Sequence, residues 1–156
     1  MTLTPTRIAT LADLDTMALL FDAYRQFYEQ QPNPALARDF IRQRMQNNES
    51  VILLALSDAG NAVGFCQLYP SFCSVEAQPI YVLYDLYVVT DARRTGAGTA
   101  LLQAAEKLAI ASGKVRLDLT TAKTNLRAQA AYESLGWVRD EVFYAYSKHP
   151  HRSETP

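Results

Sequence analysis

At 156 residues the chain has room for one domain with one core, burying ~68–70% of the surface its unfolded form would expose. An apolar fraction of 49%, a charged fraction of 20% and a net charge of −1 exclude a disordered polyelectrolyte and supply no basic face for nucleic acid. Neither an early apolar h-region nor an 18-residue apolar run is present, so no membrane association and a cytoplasmic location are expected.

In chain order, Asp13 to Gln31 carries Leu14, Met17, Ala18, Phe21, Tyr24 and Phe27 or Tyr28 at helical spacing, which predicts an amphipathic first helix. Pro32 and Pro34 interrupt it, and Asn33 caps a second helix reaching about Gln46, with Phe40, Ile41 and Met45 inward. Val51 to Leu56 and Ala62 to Tyr69, joined by SDAGN, read as a hairpin, and Ile80 to Val89 as a third long strand. Cys66 and Cys73 lie seven apart without CxxC or a histidine cluster, which predicts free, buried thiols and no metal site. A glycine loop follows the third strand. It opens a helix with Ala97, Ala100, Leu101, Ala104, Ala105 and Leu108 inward and a C-cap near Gly113. Val115, Leu117 and Leu119 alternate with polar residues as a strand, Asn125 to Leu135 suits a short helix, and Trp137 to Tyr146 suits one or two final strands. Residues 149–156 read as a flexible tail, and His149 and His151 fall outside any metal or nucleophile spacing.

The strand–helix–strand portion implies a parallel pair beside an otherwise antiparallel set, hence a single α/β domain with a mixed sheet. A ligand belongs beyond the carboxyl end of the strand ending near Val89. There TDARRTGAG passes directly into the alanine-rich helix. Glycine admits close backbone approach, and the first amides of a helix have no internal partner and carry partial positive charge. The junction suits a phosphate-bearing molecule. A P-loop would need GxxxxGK with Ser or Thr, and that lysine is missing; a dinucleotide fingerprint meets Leu101 at its third glycine. Arg93, Gly96 and Gly98 instead satisfy Arg/Gln-x-x-Gly-x-Gly/Ala, and TNLRAQAAYESLGW places Asn125, Ala128, Ala131, Tyr132, Gly136 and Trp137 as NxxAxxxYxxxGF, with Trp for Phe. With both elements in this order, residues 80–146 resemble the GNAT superfamily of acyl-CoA-dependent N-acetyltransferases. The nearest flavour is that of diamine, polyamine and histone-type acetyltransferases.

The resemblance implies a mostly antiparallel central sheet with helices on both faces and a parallel pair splayed at the coenzyme site. It further implies acetyl-CoA as cosubstrate, no metal, and direct transfer to an amine of a small molecule or peptide side chain. Arg93, Arg94, Thr95, Gly96, Ala97, Gly98 and Thr99 would hold the pyrophosphate, and Leu86, Tyr87, Val88 and Asn125 the pantetheine arm. Tyr132 would protonate the leaving thiolate. Asp85, a carboxylate inside an apolar strand, is the candidate base, with Tyr84 standing where polyamine acetylators carry Glu; a water relayed by Tyr81, Tyr84 or Glu29 is the alternative. Tyr24, Tyr28 and Glu29 are candidates for the acceptor pocket. A coenzyme-binding regulatory module without turnover is the competing function. Exposed strand edges and the aromatic VFYAY segment admit a homodimer.

Overall fold

A computed structural model describes residues 3–151. They form two compact units that divide between Thr120 and Thr121. The first holds a sheet of five strands in sequence order: β1 (Thr6–Ile8), β2 (Val51–Leu56), β3 (Ala62–Cys73), β4 (Gln78–Val88) and β5 (Leu117–Asp118). The first four strands pair antiparallel and β5 runs parallel to β4. That parallel pair requires a crossover, which α3 (Ala97–Ala111) supplies. The expected α/β architecture with a mixed sheet is therefore present.

The buried run of β2 shows why both faces are covered. Ile52 and Leu54 belong to a core with α1 (Leu14–Phe27) and α2 (Pro34–Gln46), through Met17, Phe21, Ala37 and Ile41. The alternating Leu53 and Ala55, 4% and 0% exposed, point the other way. On that side α3 packs across β2, β3 and β4 with Ala97, Leu101 and Ala105 buried. Aromatic packing locks α1 to the sheet: Phe21 stacks on Phe40 at 5.3 Å and meets Phe65 edge-on at 6.5 Å.

Asn33 caps α2 as read, its side chain accepting from Leu36 N–H at 3.1 Å. α1 is shorter than expected. It stops at Phe27 because Glu29 turns left-handed, φ 63°, and Gln30 N–H reaches back to Arg25 C=O at 3.0 Å. β3 continues to Cys73, past the expected Tyr69, so β3 and β4 make a long hairpin. Cys73 is consequently half-exposed rather than buried, and both thiols are free. β5 is cut to two residues, which lie opposite Tyr81 and Val82. β1 carried no sequence expectation.

A register shift at Gln67/Leu68 is the feature that shapes the active face. Gln67 pairs with Asp85 while Leu68 pairs with Leu83, leaving Tyr84 as the extra residue of a bulge. Gln67 and Leu68 project to opposite faces, so Asp85 and Leu83 do as well. Asp85 thereby joins Tyr87 and Phe65 on the α1 face, whereas Tyr81, opposite Pro70, stays with Leu83.

The second unit contains α4 (Leu126–Ser134), capped by Asn125, whose side chain accepts from Ala128 N–H at 3.2 Å. The final strands expected over Trp137 to Tyr146 do not form among the described residues. Asp140 takes the amides of Val142 and Phe143, at 2.8 and 3.2 Å, into a local turn that competes with strand pairing, and Val142, Phe143, Tyr144 and Tyr146 are exposed. Of the expected tail, 152–156 lie outside the described residues; His149 to His151 are exposed coil.

Candidate active site

The glycine loop takes the form its composition predicts. After one turn of 3-10 helix over Thr90–Ala92, Arg93 is extended, Arg94 is left-handed at φ 67°, and Gly96 caps α3 at φ 89°. A non-glycine residue in that region costs about 1–2 kcal/mol. The Arg93 Nε–H donates to Val88 C=O at 3.0 Å and its guanidinium lies over the rings of Phe27 and Tyr87, at 5.5 and 5.8 Å. Thr95 Oγ–H donates to Ala92 C=O at 2.5 Å. The helical ladder starts with Ala100 N–H donating to Gly96 C=O at 2.9 Å, so the amides of Ala97, Gly98 and Thr99 stand ahead of it. Amides left free ahead of a helix attract an anion, and Arg93 and Arg94 precede them in the loop.

The strand leading into this loop is open on one side. β5 pairs β4 only at Tyr81 and Val82, so Leu83 to Val88 carry no strand partner on that edge among the described residues. Leu86, Tyr87 and Val88 are half-buried, with their other edge paired to β3. An extended arm could add there as a strand does.

Asp85 is 4% exposed on the α1 face. Its partners are neither backbone nor arginine. Gln67 Nε2–H donates to Asp85 Oδ2 at 2.5 Å, and Ser50 Oγ–H donates to Gln67 Oε1 at 2.8 Å. The Tyr24 hydroxyl stands near the carboxylate and favours its charged form. Burial raises the Asp85 pKa above the usual carboxylate value, against the pull of Gln67 and Tyr24. Burial and the adjacent Asp85 in turn hold Tyr24 far above the ordinary phenol value, and burial pushes Tyr69 up to about 12. Tyrosines surround this acid: Tyr24 meets Tyr28 edge-on at 5.1 Å, and Tyr69 meets Tyr84 at 5.6 Å.

The expected acceptor-pocket residues divide. Tyr24 is half-buried beside Asp85, Tyr28 is 55% exposed, and Glu29 is the exposed turn residue that ends α1. Of the suggested relays, Tyr84 is the exposed bulge residue. Tyr81 is buried on the opposite face, under the Lys114 Nζ at 4.9 Å. Gln67 and Ser50 escaped sequence reasoning. The one available signal was a glutamine inside the apolar run Phe65 to Leu68, which a buried strand tolerates only with partners. In the second unit, Tyr132 is half-buried with its ring 6.2 Å from that of Trp137, and Asn125 is exposed as the cap of α4. No group of three or more His, Cys, Asp or Glu that could hold a metal occurs among the described residues, and no helix there is long and apolar enough to cross a membrane.

A mixed sheet whose parallel pair parts beside a glycine-capped helix, with a buried acid one turn of strand away, is the framework of an acyl-CoA-dependent acetyltransferase. The chain belongs to the acetyltransferase (GNAT) family, whose model matches residues 15–137. It is 43% identical over 140 residues to the uncharacterized N-acetyltransferase YhfO of Bacillus subtilis (strain 168), covering 90% of this chain and 93% of the relative. The crystal structure of a probable acetyltransferase, 40% identical, superposes with a TM-score of 0.89 over 95% of this chain and 99% of that one. The aminoglycoside N(6')-acetyltransferase type 1 of Acinetobacter genomosp. 13 is 29% identical over 108 residues, 67% of this chain and 74% of the relative. The family uses acetyl-CoA as cosubstrate. The left-handed Gly96 cap, the three leading amides and the open edge of β4 fit a diphosphate joined to an extended arm.

Proposed function

We propose that the chain transfers an acetyl group from acetyl-CoA directly to a primary amine, of a small molecule or a peptide side chain, within a ternary complex. The observation that carries this reading is Asp85, a buried carboxylate held among tyrosines on the α1 face of β4. An acid in that setting recognises a cation and can take its proton, and aromatic rings around it favour an alkylammonium. The acceptor class also draws support from the relative named for aminoglycosides, which bear primary amines.

Acetyl-CoA supplies a thioester-activated acetyl group. The residues 93–99 bind its diphosphate through backbone amides and the two guanidiniums, and Leu86, Tyr87 and Val88 hold the arm. An alkylamine of pKa ~10.4 must lose a proton before it can attack, which costs about 4–5 kcal/mol at pH 7. With Asp85 4% exposed, that proton reaches it through the Tyr24 hydroxyl, which gives its own proton to the carboxylate and takes the one from nitrogen. Asp85 then returns the proton to solvent. The amine's second proton is lost as the nitrogen–carbon bond replaces the carbon–sulfur bond, and it ends on sulfur. Tyr132 is the donor there, its hydroxyl giving its proton to sulfur, and is restored from nitrogen.

The test is thiol release from acetyl-CoA with a panel of alkylamines, aminoglycosides and lysine peptides. Tyr132→Phe, Asp85→Asn and Tyr24→Phe are each expected to lower turnover about 10²–10⁴-fold while coenzyme binding by calorimetry persists. Coenzyme binding with no thiol release for any acceptor would leave a regulatory binding module instead.

A further inference from the structure

Gln67 is the polar residue the reaction does not yet use. It is 0% exposed, flanked by Phe65, Cys66 and Leu68, themselves 0% exposed, and it sits directly opposite Asp85 at the register shift. A primary amide in such a place is destabilising unless both ends are satisfied. Both are: Ser50 Oγ–H donates to Oε1 at 2.8 Å and Nε2–H donates to Asp85 Oδ2 at 2.5 Å. The polarity of the chain follows from its end. A carboxylate only accepts, so it draws the NH₂ end of the amide, and the serine, able to donate, takes the oxygen end.

We propose that Gln67, locked by Ser50, is the positioning residue for Asp85: it fixes the carboxylate orientation and occupies Oδ2, leaving Oδ1 to take the proton that Tyr24 relays from the acceptor amine. The inference rests on Asp85 being the base. It explains why a buried acid with no cationic partner among the described residues keeps an ionised form within reach. Among the described residues, the titratable groups on the acid's own face are Tyr24 of α1 and Tyr69 of β3, while Cys66 is buried on the opposite face of that strand; Tyr28 and Tyr84 adjoin Tyr24, and Arg44 and Glu49 act on Tyr69. Gln67 donates to it, and the nearby Tyr24 hydroxyl also favours its charged form. Removing the Gln67 donor leaves burial opposed by Tyr24 alone.

The experiment follows the Asp85 carboxyl directly, by carbon-13 NMR titration of the full chain, alongside the pH profile of kcat/KM. Gln67→Leu keeps a similar volume and is expected to raise the Asp85 midpoint by about one to two pH units. The acid limb of kcat/KM moves with it, and turnover lost at pH 7 returns at higher pH, with KM for acetyl-CoA unchanged. Ser50→Ala moves the midpoint in the same direction by less, and decides the matter by itself if Gln67→Leu does not fold. A purely structural role lowers thermal stability but leaves the midpoint and the acid limb in place, which overturns the proposal. The NMR arm is independent of the chemistry. Full activity of Asp85→Asn with its acid limb intact removes Asp85 as base, whereas an unmoved midpoint in Gln67→Leu or Ser50→Ala removes only the positioning role.

Discussion

Two carboxylates of the first unit respond to acid with opposite sign. Asp13 receives both Nη groups of Arg7, at 2.7 and 2.8 Å, and the Thr10 amide at 2.8 Å, and the Arg7 guanidinium holds its carboxyl down at about 2. A lowered carboxyl contributes stability that is complete above its unfolded value near ~3.9 and is lost as pH falls through the folded one. Asp13→Asn should therefore flatten the decline in thermal midpoint between about pH 4 and pH 2, measured by circular dichroism melts across that range. Asp85 is raised by burial, so the folded state holds its proton more tightly and stability declines as pH rises above the unfolded value. The proposed base is thus a liability to the fold in its charged form. Its candidacy was legible because a lone Asp interrupts an apolar strand. Its partners were not, since Gln67 and Ser50 stand 18 and 35 positions away and only the strand register brings them together.

Among elements, the helix ends share one device. Glu29, Asn48, Gly113 and Gly136 all follow a helix with positive φ, and the residue after each sends its amide back five positions, as Lys114 N–H does to Ala109 C=O at 2.9 Å. Glycine adopts this conformation freely, whereas Glu29 carries a side chain there. Replacing Glu29 by Gly is expected to stabilise the chain by about 0.5–1 kcal/mol, and Gly113→Ala to destabilise it by a similar amount or more, read as thermal midpoint shifts of opposite sign. The Glu29 variant also bears on the acceptor pocket: unchanged KM for the amine means the residue serves only the turn. Capping and periodicity made the four helices readable in outline, with Asn33 and Asn125 acting as caps and α3 ending before Gly113. The bulge at Tyr84 and the local turn at Asp140 were not readable, because each depends on which long-range pairing wins. VFYAY has the composition of a strand and spends its first amides on an aspartate.

For the whole molecule, a net charge of −1 provides no long-range pull on a polyanionic coenzyme, so its capture must be local. The groups available for it are contiguous in the first unit: Arg93 and Arg94, the amides of Ala97, Gly98 and Thr99, and the unpaired edge of β4. Part of this was visible in the glycine spacing, and the open edge was expected only from the family resemblance, which implies a splayed parallel pair; in the fold it exists because β5 stops after two residues. A ligand that binds the folded chain alone stabilises it by RT ln(1 + [L]/Kd), about 2.7 kcal/mol at a hundredfold excess over Kd. For a chain of this size that corresponds to a rise of roughly 5–10 °C in thermal midpoint with free CoA. The rise should be halved or more by Arg93→Ala, which also frees the Val88 carbonyl, and hydrogen exchange should slow at residues 93–100 and 83–88. Dephosphorylated pantetheine, lacking the diphosphate, should protect the strand edge yet leave the amides of Ala97, Gly98 and Thr99 exchanging as in the free protein. If pantetheine and CoA protected those three amides equally, the helix terminus would not be the anion site.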